Sequence, residues 1–150
     1  MKLVKLHDKD LNGIIIVDPK LCKIFDAEMF ALFPFIIISD ADYLDLSDNY
    51  NRVAINHERI HLSDQKKFRN IKPNSVNKWR YPTRIKYKWL FLLKYGFLNR
   101  KMLWKYYREY RQLRKKGYSK YEAYYYTSFE IKARRYQNVG YYLNIKNLVK

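Results

Sequence analysis

The chain has 150 residues, 48% of them apolar and 30% charged, which suits one folded domain over 1–150 and excludes a disordered or linker-dominated polypeptide. A single cysteine, Cys22, excludes an intrachain disulfide framework and a cysteine-rich zinc site. Thirty-one Lys and Arg against fourteen Asp and Glu leave a net charge of +17, a field that attracts nucleic acid, anionic membrane or acidic proteins; the many Tyr, Lys, Asn and Ile also match the residue usage of an AT-rich genome.

The first ten residues, from Met1 to Asp10, lack the apolar core and small-residue cleavage site of a signal peptide. The longest apolar run, Met29 to Ile38, is ten residues with Pro34 inside it, against roughly 20 needed to span a bilayer. A cytoplasmic location without a transmembrane segment is the expectation. Trp89 to Leu98 is apolar too, but Lys94 interrupts it and Lys86 and Lys88 flank it, so shallow attachment to an anionic surface stays open.

In chain order, Gly13 to Asp18 and Pro19 read as a buried strand ended by a turn. Phe33 to Ser39 reads as a second strand, with Pro34 at its start or on a sheet edge, because Pro lacks a ladder donor. Asp40, Asp42, Asp45 and Asp48 form a polar loop. From Asn51 to Ile71 the pattern is helical, with Val53, His57, Ile60, His61, Asp64, Phe68 and Ile71 on one face. Lys72 to Thr83, with Pro73 and Pro82, reads as a loop. Helix resumes near Arg84 and runs towards Lys116, divided around Gly96 and Asn99, with Leu103, Tyr106, Tyr110 and Leu113 as the stripe of its second piece. Gly117 ends it. Ser119 and Glu122 form a capping box that starts a last helix expected to run to Val139 and stop at Gly140. The expected fold class is α+β and mostly helical: a small N-terminal sheet, then a helical body.

Residues 57–61, His57-Glu58-Arg59-Ile60-His61, match H-E-x-x-H. On a helix, positions i and i+4 project from one face, so two imidazoles reach one ion, while Glu58 lies beside the metal and can take a proton from water held there. The bland alternative is two histidines on a helix surface. Against it, two of the three histidines make this pair, and the pair lies on the apolar stripe of its helix.

A zinc hydrolase needs a third protein ligand and an open fourth position. Cys22 and His7 are poor choices, and the best carboxylate is Glu130. It shares a stripe of the last helix with Ala123, Tyr126, Ala133 and Gln137, where small alanines let another helix approach and a carboxylate is costly unless paired or bound to a cation. The competing explanation is a buried pair with Arg134 or Arg135. An inward histidine pair and an inward glutamate explain each other if one zinc sits between the helices.

H-E-x-x-H followed by a helical E-x-x-A, here Glu130-Ile131-Lys132-Ala133, resembles the gluzincin class of zinc metallopeptidases, and the order of segments from Phe33 to Leu143 is similar to small bacterial or phage zincin-like proteins. Two features depart from that pattern. Glu130 stands 69 residues beyond His61, and Arg134 occupies the position where some members carry an orienting Asp. The Asp40–Asp48 loop or Asp64 is then the candidate to orient the imidazoles. The resemblance implies a zincin-like fold in which His57, His61 and Glu130 hold Zn²⁺ and Glu58 is the catalytic base for attack of water on a peptide or protein substrate. Tyr126, Tyr136, Tyr141 and Tyr142 are candidates to stabilise the oxyanion. If Phe35 to Ser39 is an edge strand beside the cleft, an extended peptide adds to it.

Two readings from other classes stand beside this one. Arg108, Arg111, Arg114, Lys115 and Lys116, interleaved with Tyr106, Tyr107 and Tyr110, form a basic patch for weak nucleic-acid or anionic-surface association, or simply a solvated face. The other is a zinc-binding scaffold without catalysis.

Overall fold

The computed structural model describes residues 3–7, 12–69 and 85–138. Its element order is β1 (Leu3–His7), β2 (Asn12–Val17), α1 (Pro19–Ile24), β3 (Met29–Leu32), β4 (Phe35–Ile38), a 3-10 turn (Ala41–Leu44), α2 (Asn49–Arg69), α3 (Ile85–Leu98), α4 (Arg100–Lys115), α5 (Lys120–Tyr125) and α6 (Ser128–Tyr136). The chain is α+β, with a small sheet N-terminal to a helical body, as its sequence predicts.

The sheet has four strands in the order β1-β2-β4-β3. β2 and β4 run parallel, with Ile14 opposite Phe35 and Val17 opposite Ile38, while β1 and β3 pair antiparallel on the outside. Alternate residues of β2 and β4 point to opposite faces. Ile15, Ile36 and Ile38 pack with Leu44, Ile55 and Leu62 on the α2 side. Ile16, Phe35 and Ile37 pack with Leu21, Cys22, Phe91 and Tyr95 on the α1 and α3 side. Burial on both faces is why these strands read as unbroken apolar runs instead of alternating ones.

Several expectations need correction. The Phe35 to Ser39 segment is not an edge: β4 lies inside the sheet, and β3 forms the edge on that side. The strand expected over Phe33 to Ser39 spans Phe35–Ile38, and a further strand, Met29–Leu32, precedes it across a turn at Phe33 and the cis-linked Pro34. Asp18 and Pro19 do not merely turn the chain. Asp18 accepts a hydrogen bond from the Leu21 amide at 3.2 Å and starts α1, with Pro19 in its first turn. The N-terminal polar segment supplies β1, whose backbone pairs with β2 from Leu3–Ile16 to His7–Asn12.

The last helix is two pieces. α5 opens with the Ser119–Glu122 capping box and ends at Tyr126, and α6 starts after Thr127. The Thr127 hydroxyl turns back to donate to the Tyr124 carbonyl at 3.1 Å. Glu109 of α4 accepts from both the Ser128 amide and hydroxyl at 2.8 Å, so the first turn of α6 is capped by another helix. The break between α3 and α4 falls at Asn99, and Gly96 lies within α3. Gly117, at φ +93°, ends the α4 region in the left-handed conformation expected there. The loop expected at 72–83 and the stop expected at Val139 and Gly140 lie outside the described residues.

Candidate metal centre

α2 is the helix that organises the site. Asp48 accepts from the Tyr50 amide at 2.7 Å and so caps its first turn. Ile55 and Leu62, both fully buried, hold it to the sheet. Gln65 then fixes it against the β3–β4 hairpin: its amide nitrogen donates to the Ala31 carbonyl at 2.9 Å, and its oxygen accepts from the Phe33 amide. The expected stripe is displaced. Ile60 is only half-buried and Phe68 is exposed, because α2 is wedged between sheet and helices and buries more than one face.

His57 and His61 project from the side of α2 that meets α6. Their Nε2 atoms lie 3.1 Å apart. The Glu130 carboxylate of α6 reaches both, with Oε2 at 3.2 Å from His57 Nε2 and Oε1 at 3.3 Å from His61 Nε2. Ala133, one turn on from Glu130 in α6, is fully buried, as is Ala123 of α5. His57, His61 and Glu130 form a group that could hold a metal ion, their ligand atoms lying within 4.8 Å of one another.

Two features of these residues fit a divalent cation. The two Nε2 atoms lie 3.1 Å apart, near the spacing of about 3.3 Å between donors of a tetrahedral ion with bonds of roughly 2.0–2.1 Å, and a different oxygen of the Glu130 carboxylate faces each of them. His57 Nδ1 lies 2.8 Å from the Gln137 side-chain oxygen, which only accepts, so Nδ1 carries the proton. A neutral His57 then aims its Nε2 lone pair at a carboxylate oxygen, an arrangement relieved by a bound cation or by a second proton on the ring.

The charges follow from this packing. Burial works against a charged His57, but the hydrogen bonds to Glu130 and Gln137 outweigh it and raise its pKa. Burial also opposes the Glu130 carboxylate, yet hydrogen bonds from both imidazoles drive its pKa well below the ordinary carboxyl value. Arg134 lies at the margin of ion-pair range, 4.0 Å from Glu130, and its guanidinium is committed to the Tyr125 carbonyl and ring. Arg135 is exposed beside the ring of Tyr136. Glu130 is thus engaged chiefly by the histidines and not by either arginine.

Glu58 follows the first histidine and turns towards the sheet. It is buried, and desolvation pushes its carboxyl pKa up despite the hydrogen bond from the Ala31 amide on β3. It lines two cavities. One, of about 510 Å³, also has His61 and Glu130 in its wall, together with apolar Phe30, Leu92 and Met102. The other, of about 240 Å³, is bounded by Tyr50, Val53, His57 and Gln137. The carboxyl group therefore stands where a polar wall meets an apolar chamber.

The orienting groups differ from those expected. Gln137, not a carboxylate, holds His57. The acidic loop caps itself and α2: Asp40 accepts from the Asp42 amide at 3.0 Å and Asp45 from the Ser47 amide at 3.0 Å. Asp64 pairs with Lys132 of α6 and so ties the two ligand-bearing helices. Its Oδ2 and the Nδ1 of His61 are buried without a hydrogen-bond partner among the described residues.

Among the described residues, the tyrosines that hydrogen-bond to Glu130 are Tyr106 of α4 and Tyr124 of α5. Tyr106 donates to Glu130 at 3.4 Å, and Tyr124 also hydrogen-bonds to Glu130. Burial, then the charge of Glu130, raises the pKa of both, so the phenols stay protonated donors. Tyr126 and Tyr136 are instead exposed, Tyr126 packing on Tyr118 and Tyr125. Tyr141 and Tyr142 lie outside the described residues. No spacing rule singles out Tyr106 and Tyr124, because they reach Glu130 from two further helices.

Cys22 is buried among α1 and sheet residues, its thiol pushed up to about 12 by burial and by the Asp18 and Glu58 charges, which leaves it unreactive. Arg108, Arg111, Arg114 and Lys115 of α4 and Lys116 just beyond its end are all exposed. Arg108, Arg111 and Lys115 line a groove of about 220 Å³ with Trp104 and Tyr107, away from the histidine pair. No helix of the described residues is long and apolar enough to cross a membrane. No family model, curated protein or solved structure matches the chain.

Proposed function

We propose that this protein is a zinc-dependent metallopeptidase of gluzincin type, with His57, His61 and Glu130 as the metal ligands and Glu58 as the general base. The observation that carries the reading is the convergence of two imidazole nitrogens, 3.1 Å apart, and one buried carboxylate whose two oxygens face them at 3.2 and 3.3 Å. Imidazole and carboxylate donors suit zinc. Zinc bound there supplies a Lewis acid that acidifies water and polarises a carbonyl.

The chain's own groups do the rest. Glu58, held by the Ala31 amide, accepts the proton of the attacking water and passes it to the leaving amine. Its raised pKa brings it closer to the proton affinity that this two-way transfer needs. Tyr124, half exposed on the wall of the larger cavity, donates to the developing oxyanion. Tyr106, stacked on Phe129 at 5.9 Å, positions Glu130.

Elemental analysis of the purified chain tests the first step, with about one zinc per chain expected and its loss in His57→Ala. Turnover of a quenched-fluorescent peptide library tests the second. Glu58→Gln retains zinc and lowers the rate by about 10²–10⁴-fold, and Tyr124→Phe lowers it by about 10²–10³-fold with zinc retained. A chain that binds zinc but turns over no peptide is a non-catalytic scaffold. The exposed Trp104 and Tyr107 among the α4 cations favour a second reading, single-stranded nucleic-acid binding. It predicts steep salt dependence, loss in Arg108→Glu/Arg111→Glu, and indifference to metal.

A further inference from the structure

A separate surface asks for a partner. α3 carries apolar residues all the way round, yet among its described side chains, from Trp89 on, one side is buried and the other exposed. Phe91 and Tyr95 pack on Phe35, with ring centroids 5.0 Å away in each case. On the other side Trp89, Leu90, Leu93 and Phe97 are 55%, 60%, 68% and 64% exposed. At 100° per residue these four fall within an arc of about 100°. Four large apolar side chains on one helix face form a patch that water does not stabilise.

The charge of the described residues beside this face points to its partner. The sequence from Gln65 to Arg108 holds no acidic residue. Lys94, Arg100 and Lys101 are exposed next to the apolar arc in sequence, and the Arg100 guanidinium lies 4.2 Å over the Phe97 ring. A second copy of the chain would bring the same cations against these, so like-charge repulsion opposes self-association through this face. An anionic bilayer satisfies both parts: its acyl boundary takes Leu90, Leu93 and Phe97, and its headgroups take the lysines and arginines. A fourteen-residue helix is about 21 Å long, too short to span and suited to lying in the plane of the interface. Trp89 at the rim of the patch suits the headgroup level.

We propose that the outer face of α3 seats this protein in-plane on anionic lipid membranes. This does not depend on the metal or on peptidase activity. Leu92 and Gly96 of the same helix line the larger cavity, so the candidate site's apolar chamber has the membrane-seated helix as one wall.

Co-sedimentation of the full chain with vesicles tests it. Binding to phosphatidylcholine vesicles containing phosphatidylserine is expected to be at least about tenfold tighter than to phosphatidylcholine alone, and to weaken with salt. Leu93→Asp/Phe97→Asp, at exposed positions and with helical circular dichroism and zinc content unchanged, lowers it at least about tenfold. Independently of that variant, a chain with Trp89 as its sole tryptophan (Trp79→Phe/Trp104→Phe) is quenched by brominated acyl chains. The proposal is overturned if the wild-type chain ignores anionic vesicles, if the double variant binds them undiminished, or if Trp89 is not quenched. Loss of a dimer or of nucleic-acid binding in the double variant, without vesicle binding by the wild type, overturns it too.

Discussion

Replacing Glu130 by Gln keeps the shape of a buried side chain and removes its charge. The carboxylate touches both imidazole Nε2 atoms at 3.2 and 3.3 Å, so in the proposed centre it is both the acidic ligand and the counter-charge. With zinc at 100 times its dissociation constant, the wild-type chain gains about 2.7 kcal/mol of stability over the metal-free chain. At roughly 3 °C per kcal/mol for a domain of this size, its melting temperature rises by about 8 °C. Glu130→Gln offers a neutral amide oxygen, a much weaker zinc ligand, and the same zinc concentration then gives almost no rise. Without metal at pH 7.5 the variant melts below wild type, because it loses the carboxylate whose hydrogen bonds to the imidazoles stabilise the fold above about pH 4.5. Differential scanning calorimetry of chelator-treated protein, with and without added zinc, reads all four states. Equal zinc-induced shifts in wild type and Glu130→Gln would refute the reasoning.

Further predictions concern pH and the contact between α2 and α6. The raised His57 pKa stabilises the metal-free fold fully below about pH 6.5 and is lost as pH rises through the raised value, while the lowered Glu130 pKa contributes above about pH 4.5 and is lost on acidification. Metal-free stability from this pair therefore peaks between about pH 4.5 and 6.5, and the zinc-induced rise in melting temperature grows above that window, because zinc must displace the His57 proton; a zinc effect flat from pH 5 to 8 contradicts this. Burial raises the Glu58 pKa, so the charged carboxyl destabilises the fold at neutral pH. Glu58→Gln is then expected to melt higher than wild type without metal at pH 7.5, the difference shrinking as the pH falls towards the ordinary carboxyl range; a constant difference rules this out. Lys132→Met strands the buried Asp64 carboxylate, at a cost of about 1–2 kcal/mol given that Lys132 is partly exposed, and Asp64→Asn/Lys132→Met recovers most of it in urea unfolding. An uncoupled pair of single-variant effects would show that this ion pair does not join the helices.

Much of the site was legible because it rests on local periodicity. The i, i+4 histidines needed only a helix, and Glu130 was conspicuous as a carboxylate among alanines on an inward stripe. The capping box at Ser119 and the glycine end at Gly117 were equally local. What escaped was set by tertiary contacts. Residues 29–38 are apolar throughout, so nothing in their pattern divides β3 from β4 or shows that β3 is the edge on that side. The break at Thr127 has no Gly or Pro to mark it, and it is maintained by Glu109 from α4. Gln137 holding His57, and Tyr106 and Tyr124 on Glu130, depend on how four helices meet. The order of segments from Phe33 to Leu143, which resembles that of zincin-like proteins, says nothing of these partners.

X-ray absorption at the zinc edge of the reconstituted full-length chain tests the metal assignment most directly. Two imidazole nitrogens and light oxygen donors, with no sulfur, about one zinc per chain, and loss of one imidazole shell in His61→Ala are the predicted result. A chain that takes up no zinc, or whose zinc shell is unchanged when His61 is removed, contradicts it.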